Sequence, residues 1–307
     1  MSGPGSIRIG SRGSQLALWQ AMHIAGRLGE AGHTVEIQRI TTTGDRMQGI
    51  PFARVGTKGM FTKEIEDALA SGTIDLAVHS LKDLPTELDA RFVLAAVTKR
   101  ADPRDVFVSN QYAGMHALPK GARVGTSSLR RQSQLKARWP ELEYVEFRGN
   151  VDTRLRKLAE GLVEGVILAA AGLDRLERAE WVRERFAAEL LCPAPGQGAL
   201  AIECRMADDA TRAVLSTLDD AESRFAVTAE RVALAALGGG CQVPIGAYCQ
   251  RDGDGYRIQG CVASPDGATL LRGEARGAEA EALGATLADG LLKQGARQLL
   301  AQAGLTQ

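Results

Sequence analysis

Cysteine is scarce in this 307-residue chain. The five, at positions 192, 204, 241, 249 and 261, form an odd, scattered set with no C-x-x-C pair. Such a set builds neither a disulfide framework nor a zinc site. The four histidines are isolated from one another, so no metal centre is expected. Net charge is lacking too: 37 basic residues balance 37 acidic ones. No overall field draws the chain to nucleic acid or an anionic membrane, and any anion site must be built locally. No window approaches the roughly 18 apolar residues of a membrane span. The opening "MSGPGSIRIG" has no basic segment followed by an apolar run, so no secretory signal is expected there. The expectation is a reduced, cytoplasmic, metal-free protein.

What is present is an alternation of strand and helix signals. "SIRIGS", "TVEIQRI", "DLAVHSL", "FVLAAV", "ARVGTS", "YVEFR", "GVILAAA" and "ALAIEC" read as strands, mostly buried. Between them "SQLALWQAMHIAGRLGEAG", "FTKEIEDALASG" and "NVDTRLRKLAEG" read as helices, the first capped by Ser14. This predicts α/β architecture with mainly parallel sheets. Two proline-containing stretches, "TKRADPRD" and "LCPAPGQG", read as paired crossings between two lobes. The expected division is 1–98 with 199–218, then 104–192, then a small α+β region at 222–307. In the last, a helix from about Ala221 to Leu237 runs into "GGGCQVPIG", and an antiparallel meander turns at "DGDG" and "PDG". The segment from Thr41 to Met60 holds no sustained period and reads as a long loop, either a lid or an ordinary surface loop.

The chemistry concentrates where strands end. In "VGTSSLRRQSQL", Thr126, Ser127 and Ser128 stand ready to cap a helix whose first turn holds Arg130 and Arg131. Cations are disfavoured at that electropositive end unless an anion completes the arrangement. Arg12 and Ser14 in "GSRGSQL", Arg148 and Arg154 in "RGNVDTRL", and Arg175 in "AAAGLDRL" repeat the construction. Ligands of open α/β sheets sit outside such strand ends, so four cases in a neutral chain predict a polyanion site. In "AVHSLKDLP" a strand ends in Ser80, Lys82 and Asp83. There, one carboxylate among cations would take N–H donors of a ligand and stabilise positive charge formed during reaction. "RVGTKGMF" lacks the spacing of a nucleotide P-loop, and neither G-x-G-x-x-G nor G-x-S-x-G occurs.

Taken in order, "GSRGSQLALWQ", "VGTKGMFTKE", "AVHSLKDLP", "RADPRD", "VGTSSLRRQ", "RGNVDTRL", "AGLDRL", "PAPGQGAL" and "GGGCQVPIGAY" resemble the porphobilinogen deaminase (hydroxymethylbilane synthase) family over nearly the whole chain. The resemblance implies two periplasmic-binding-protein-like α/β lobes and a small C-terminal α+β domain whose loop carries a cofactor. It implies a transferase of porphyrin, heme and tetrapyrrole biosynthesis, cytoplasmic and monomeric. Four porphobilinogen molecules would join head to tail with loss of ammonia on a covalent dipyrromethane primer. Hydrolysis would then release hydroxymethylbilane. Cys241 would carry the thioether, the glycines giving it a slim, mobile arm. By matching position, Lys82, Asp83, Thr126, Ser128, Arg130 and Arg131 would bind the cofactor, with Asp83 also catalytic. Arg12, Ser14, Lys58, Arg148, Arg154 and Arg175 would hold incoming or growing substrate. The long loop at 41–60 would be the family's lid. Arg54 departs from the lysine the family pattern carries and is not counted as a site residue.

A rival reading is a non-catalytic two-lobed protein that binds small carboxylates; the cysteine loop argues against it. A second, DNA binding through Arg130 and Arg131, predicts salt-dependent retention on DNA. The balanced charge and the lack of a helix-turn-helix partner argue against that one.

Overall fold

The structure, a computed structural model, describes residues 6–43, 62–239 and 243–302. By its contacts the chain forms two compact units: Met1–Lys99 with Ala199–Arg224, and Arg100–Gly198 with Phe225–Gln307.

The first unit is built on β1 (Ile7–Ser11), β2 (Val35–Arg39), β3 (Leu76–Ser80), β4 (Phe92–Val97) and a returning strand, β10 (Leu200–Arg205), in the order β2-β1-β3-β10-β4. Helix α1 (Gln15–Glu30) begins where the sequence places it. Ser14 Oγ accepts the Ala17 amide, and Ala21, Ile24 and Leu28 face the core against Ile9, Leu76 and Ile202. Helix α2 (Lys63–Ala70) buries Ile65 and Leu69 on the other sheet face, with Ile74, Ala77 and Phe92. Burying one such leucine or isoleucine contributes about 1.5–3 kcal/mol, which is what holds these short helices to the sheet.

The sheet is mixed, not mainly parallel. Strand β1 runs parallel to β2 and β3, but β10 is antiparallel to both β3 and β4. The chain leaves β4 at Thr98 and re-enters at Leu200, whose carbonyl accepts the Thr98 amide, so exit and entry share one sheet end. Strand β10 must therefore run back against its neighbours.

The second unit repeats the plan. Its strands are β5 (Asp105–Val108), β6 (Arg123–Gly125), β7 (Glu143–Val145), β8 (Gly165–Ala169) and β9 (Val182–Arg185), in the order β7-β6-β8-β5-β9. Here β5 is the antiparallel member. Helices α3 (Leu129–Arg138), α4 (Val151–Ala159) and α5 (Ala170–Arg175) follow strands. Ser128 caps α3 by accepting the Arg131 amide, and Asn150 caps α4 by accepting the Thr153 amide.

A three-stranded antiparallel sheet completes this unit: β11 (Ile245–Asp252), β12 (Gly255–Ala263) and β13 (Leu270–Gly277). Gly253 and Gly267, both at positive φ, turn the meander as the sequence indicates. Leu283, Leu287 and Leu291 of a helix spanning Ala280–Lys293 pack over it.

The helix Ala221–Ala236 ends at the glycine cluster. Gly238 has φ +72°, the Gly239 amide donates to Leu234 O, and the Gly238 amide to Ala235 O. That is a glycine-terminated helix end, in which a left-handed residue satisfies the last carbonyls. Two of the three glycines therefore stop the helix. Gly240 and Cys241 lie outside the described residues, as does 44–61, which contains Lys58, Arg54 and most of the expected lid.

Candidate active site

The sequence-selected residues that the structure describes fall into two groups, one in each unit. In the first unit, Arg12, Ser14 and Asp83 line one concave site together with Gln20, His79 and Ser80. Local packing puts Asp83 there. After β3 the chain makes a 3-10 turn over Leu81–Asp83, closed by the Leu84 amide on Leu81 O. Leu81 and Leu84 are both buried, so the turn is pinned by its apolar members while Asp83 is exposed and Lys82 half-buried. Ser80 Oγ accepts from Gln20 Nε2 at 2.8 Å, which ties α1 to the strand end. A carboxylate, a guanidinium and hydroxyls thus share one cavity, a donor and acceptor set suited to a ligand carrying both N–H groups and carboxylates.

In the second unit the paired arginines do meet an anion, and it is internal. Asp105 is fully buried at the start of β5. Its carboxylate accepts from Arg130 NH1 at 2.7 Å, from Arg131 Nε at 3.0 Å and NH2 at 2.7 Å, and from Gln197 Nε2 at 2.9 Å. Burial alone would raise this carboxyl, but the two guanidinium charges outweigh it and hold it well below the usual carboxylate range.

The "PGQG" motif explains how Gln197 arrives. Gly196 and Gly198 both take positive φ, and a Cβ on Gly198 would lie 2.6 Å from Ala101 O. Only glycine fits there, and the turn delivers the Gln197 amide to Asp105. Arg131 NH1 also donates to Ile167 O, and Arg130 NH1 to Cys192 O.

Two guanidinium charges face one carboxylate, so the cluster keeps a surplus positive charge. Among the described residues Arg130 is engaged only through NH1, which leaves Nε and NH2 for an external acceptor. Thr126 Oγ1 accepts from the Ser128 amide, so both hydroxyls stand at the same helix start. A dipyrromethane bearing several carboxylates fits this donor set.

The remaining arginines are more dispersed. Arg175 NH2 donates to Gly198 O at 2.7 Å, and burial pulls its guanidinium down to about 10. A desolvated cation of this kind gains from an arriving anion. Arg148 Nε donates to Glu146 at 2.6 Å, and half-buried Arg154 lies in α4. Sequence reasoning missed Asp105, Gln197, His79 and Glu203. The available signal was a charged or polar residue inside an apolar run, as in "DVFV", "LAVHS" and "LAIEC".

Removing the Asp105 charge should leave two buried guanidinium groups uncompensated. Asp105→Asn is expected to cost about 3–5 kcal/mol in urea unfolding. Because the folded carboxyl titrates below its unfolded value, its contribution is complete above the ordinary aspartate pKa near about 4 and fades as pH falls further. Wild type should lose stability over that acid range more steeply than the variant.

The comparisons with known proteins agree with the motifs. A profile described as porphobilinogen deaminase, dipyromethane cofactor binding domain, matches residues 7–213, and one for the porphobilinogen deaminase C-terminal domain matches residues 224–293. A curated porphobilinogen deaminase from Syntrophotalea carbinolica is 47% identical over 305 residues, covering 98% of this chain and 97% of its own. Among solved structures, an ABC transporter periplasmic substrate-binding protein from Coxiella burnetii is similar at a TM-score of 0.43 and 14% identity, over 69% of this chain and 91% of its own. The Bordetella pertussis BvgS periplasmic VFT2 domain is similar at a TM-score of 0.43 and 13% identity, over 69% and 86%. With both of its parts matched and nearly half its residues shared with a relative of equal extent, the chain belongs to the porphobilinogen deaminase family.

Proposed function

We propose that the chain is a hydroxymethylbilane-forming transferase of tetrapyrrole and heme biosynthesis, converting four porphobilinogen molecules and water into one linear tetrapyrrole and four ammonia. The observation that carries this reading is the match of both family profiles together with Asp83 set in a cavity beside Arg12 and Ser14. The dipyrromethane cofactor, when bound, supplies the pyrrole end to which new rings are added. Thr126, Ser128, Lys82, Arg130 and Arg131 hold its carboxylates, and Asp105 fixes the two guanidinium groups in register. Arg12, Ser14, Lys58, Arg148, Arg154 and Arg175 grip the acetate and propionate groups of substrate. Asp83 accepts pyrrole N–H hydrogen bonds and stabilises the positive charge that appears as ammonia leaves.

Cys241 is the attachment point. The other four cysteines are buried free thiols, with Cys204 and Cys249 pushed by burial up to about 11 and about 12. Thiolate is the nucleophilic form, so those two are poorly suited to carry the cofactor. The division at 1–98 with 199–218, 104–192 and 222–307 belongs to this reading and is supported by the three separate sheets. So does a cytoplasmic monomer acting on a small molecule, without nucleic acid or membrane partner. The balanced charge supports this, and among the described residues no helix is long and apolar enough to cross a membrane.

Stoichiometry tests the function. Purified protein given porphobilinogen should release four ammonia for each tetrapyrrole formed. Binding of porphobilinogen without ammonia release would instead identify a carboxylate-binding protein.

A further inference from the structure

The cavity wall of the first unit holds His79, backed by the buried carboxylate of Glu203, and none of the roles above uses this pair. His79 on β3 and Glu203 on β10 sit on adjacent antiparallel strands, where His79 pairs with Ala201 and Glu203 with Ala77. Two residues apart in that register, they are diagonal neighbours on one sheet face. His79 Nε2 lies 3.0 Å from Glu203 Oε2. Glu203 is fully buried, and its other oxygen, Oε1, has no hydrogen-bond partner.

A buried carboxylate satisfied on one side only is expensive to keep ionised, and a pair kept for packing alone would do better with apolar side chains. If Glu203 acts as the acceptor in this pair, the imidazole proton sits on Nε2. Nδ1 is then a lone-pair acceptor with no hydrogen bond among the described residues. His79 also lines the cavity shared by Arg12, Ser14, Ser80 and Asp83. One ring nitrogen oriented by a buried carboxylate and the other left basic is the arrangement of a general base.

We propose that His79 is the base that removes the ring proton in each condensation, with Glu203 as its positioning residue. This rests on the reading of the chain as the condensing enzyme. In each addition a C–C bond forms between the exocyclic methylene carbon of one porphobilinogen and the free α-carbon of the preceding ring. Porphobilinogen enters with its aminomethyl group as the ammonium; the methylene C–N bond breaks and ammonia leaves with the electron pair. The attacked α-carbon still bears hydrogen. Nδ1 takes that proton, and the C–H pair returns to the ring and restores its aromaticity. Glu203 stabilises the imidazolium until it passes the proton to water. Asp83 takes no proton in this scheme, so charge stabilisation and proton removal belong to different groups. Glu66 on α2 interacts electrostatically with both members of the pair, and Arg12 and Asp83 line the same cavity as His79.

The test uses holoenzyme variants His79→Asn and Glu203→Gln, first shown by intact mass to carry the dipyrromethane. Turnovers that assemble one whole tetrapyrrole are run with porphobilinogen and with porphobilinogen deuterated at its free α-carbon, so that the second, third and fourth additions break the labelled bond. In wild type the proton transfer is fast and no isotope effect is expected. In His79→Asn turnover should fall about 10²-fold and a primary isotope effect should appear. In Glu203→Gln the amide donates to Nε2 and moves the ring proton to Nδ1, so kcat should fall at unchanged KM with the same isotope effect. Full turnover in His79→Asn, or slowed turnover without an isotope effect, would overturn the assignment. If His79→Asn fails to fold, Glu203→Gln decides by the same readout. A wild type that forms no tetrapyrrole would overturn the function itself and this inference with it.

Discussion

Asp83→Asn should leave the protein folded and carrying its dipyrromethane while turnover falls by about 10²–10³-fold. The exchange is nearly isosteric, and Asp83 sits exposed on a turn pinned by Leu81 and Leu84, so no buried contact depends on its charge. Asparagine keeps an oxygen that can accept a pyrrole N–H, so binding should change little. What disappears is the full negative charge facing a cation born during ammonia loss. At about 4 Å and an effective dielectric near about 20 such a pair is worth about 4 kcal/mol, or nearly 10³ in rate. The loss should appear in kcat more than in KM, with protein–substrate complexes visible by mass. Near-normal turnover would move the charge-stabilising role to another group.

Cys241→Ser should abolish product formation altogether. A serine hydroxyl at neutral pH is a far weaker nucleophile than a thiol with its thiolate fraction. No other cysteine can take over, because Cys192, Cys204, Cys249 and Cys261 are each 2% exposed or less. The variant should be isolated at the mass of its bare chain. Appearance of the dipyrromethane on the variant would place the attachment elsewhere.

Much of the molecule was legible because its signals are local. Ser14, Ser128 and Asn150 cap the helices their neighbours suggest, since a cap needs only the amides two or three residues on. The misfit of two arginines in a helix first turn pointed to a ligand anion, and the structure sets an internal carboxylate against them. That the anion is Asp105, placed there by the pairing of β5 with β8, depends on sheet order that no local signal carries. The His79–Glu203 pair is hidden for the same reason: each residue looks like an isolated polar interruption of an apolar run until the β3–β10 register sets them side by side. Strand direction was also misjudged, because a run such as "ALAIEC" reads the same parallel or antiparallel. The glycines before Cys241 divided their work in a way the sequence left open, two of them ending a helix.

The most direct measurement is the intact mass of freshly purified, active protein, read before and after digestion to the peptide that contains Cys241. The chain should be heavier than its sequence by one dipyrromethane, with the added mass on that peptide. An active preparation at the bare-chain mass, with an unsubstituted Cys241 thiol, would contradict the tethered-primer chemistry on which the other assignments stand.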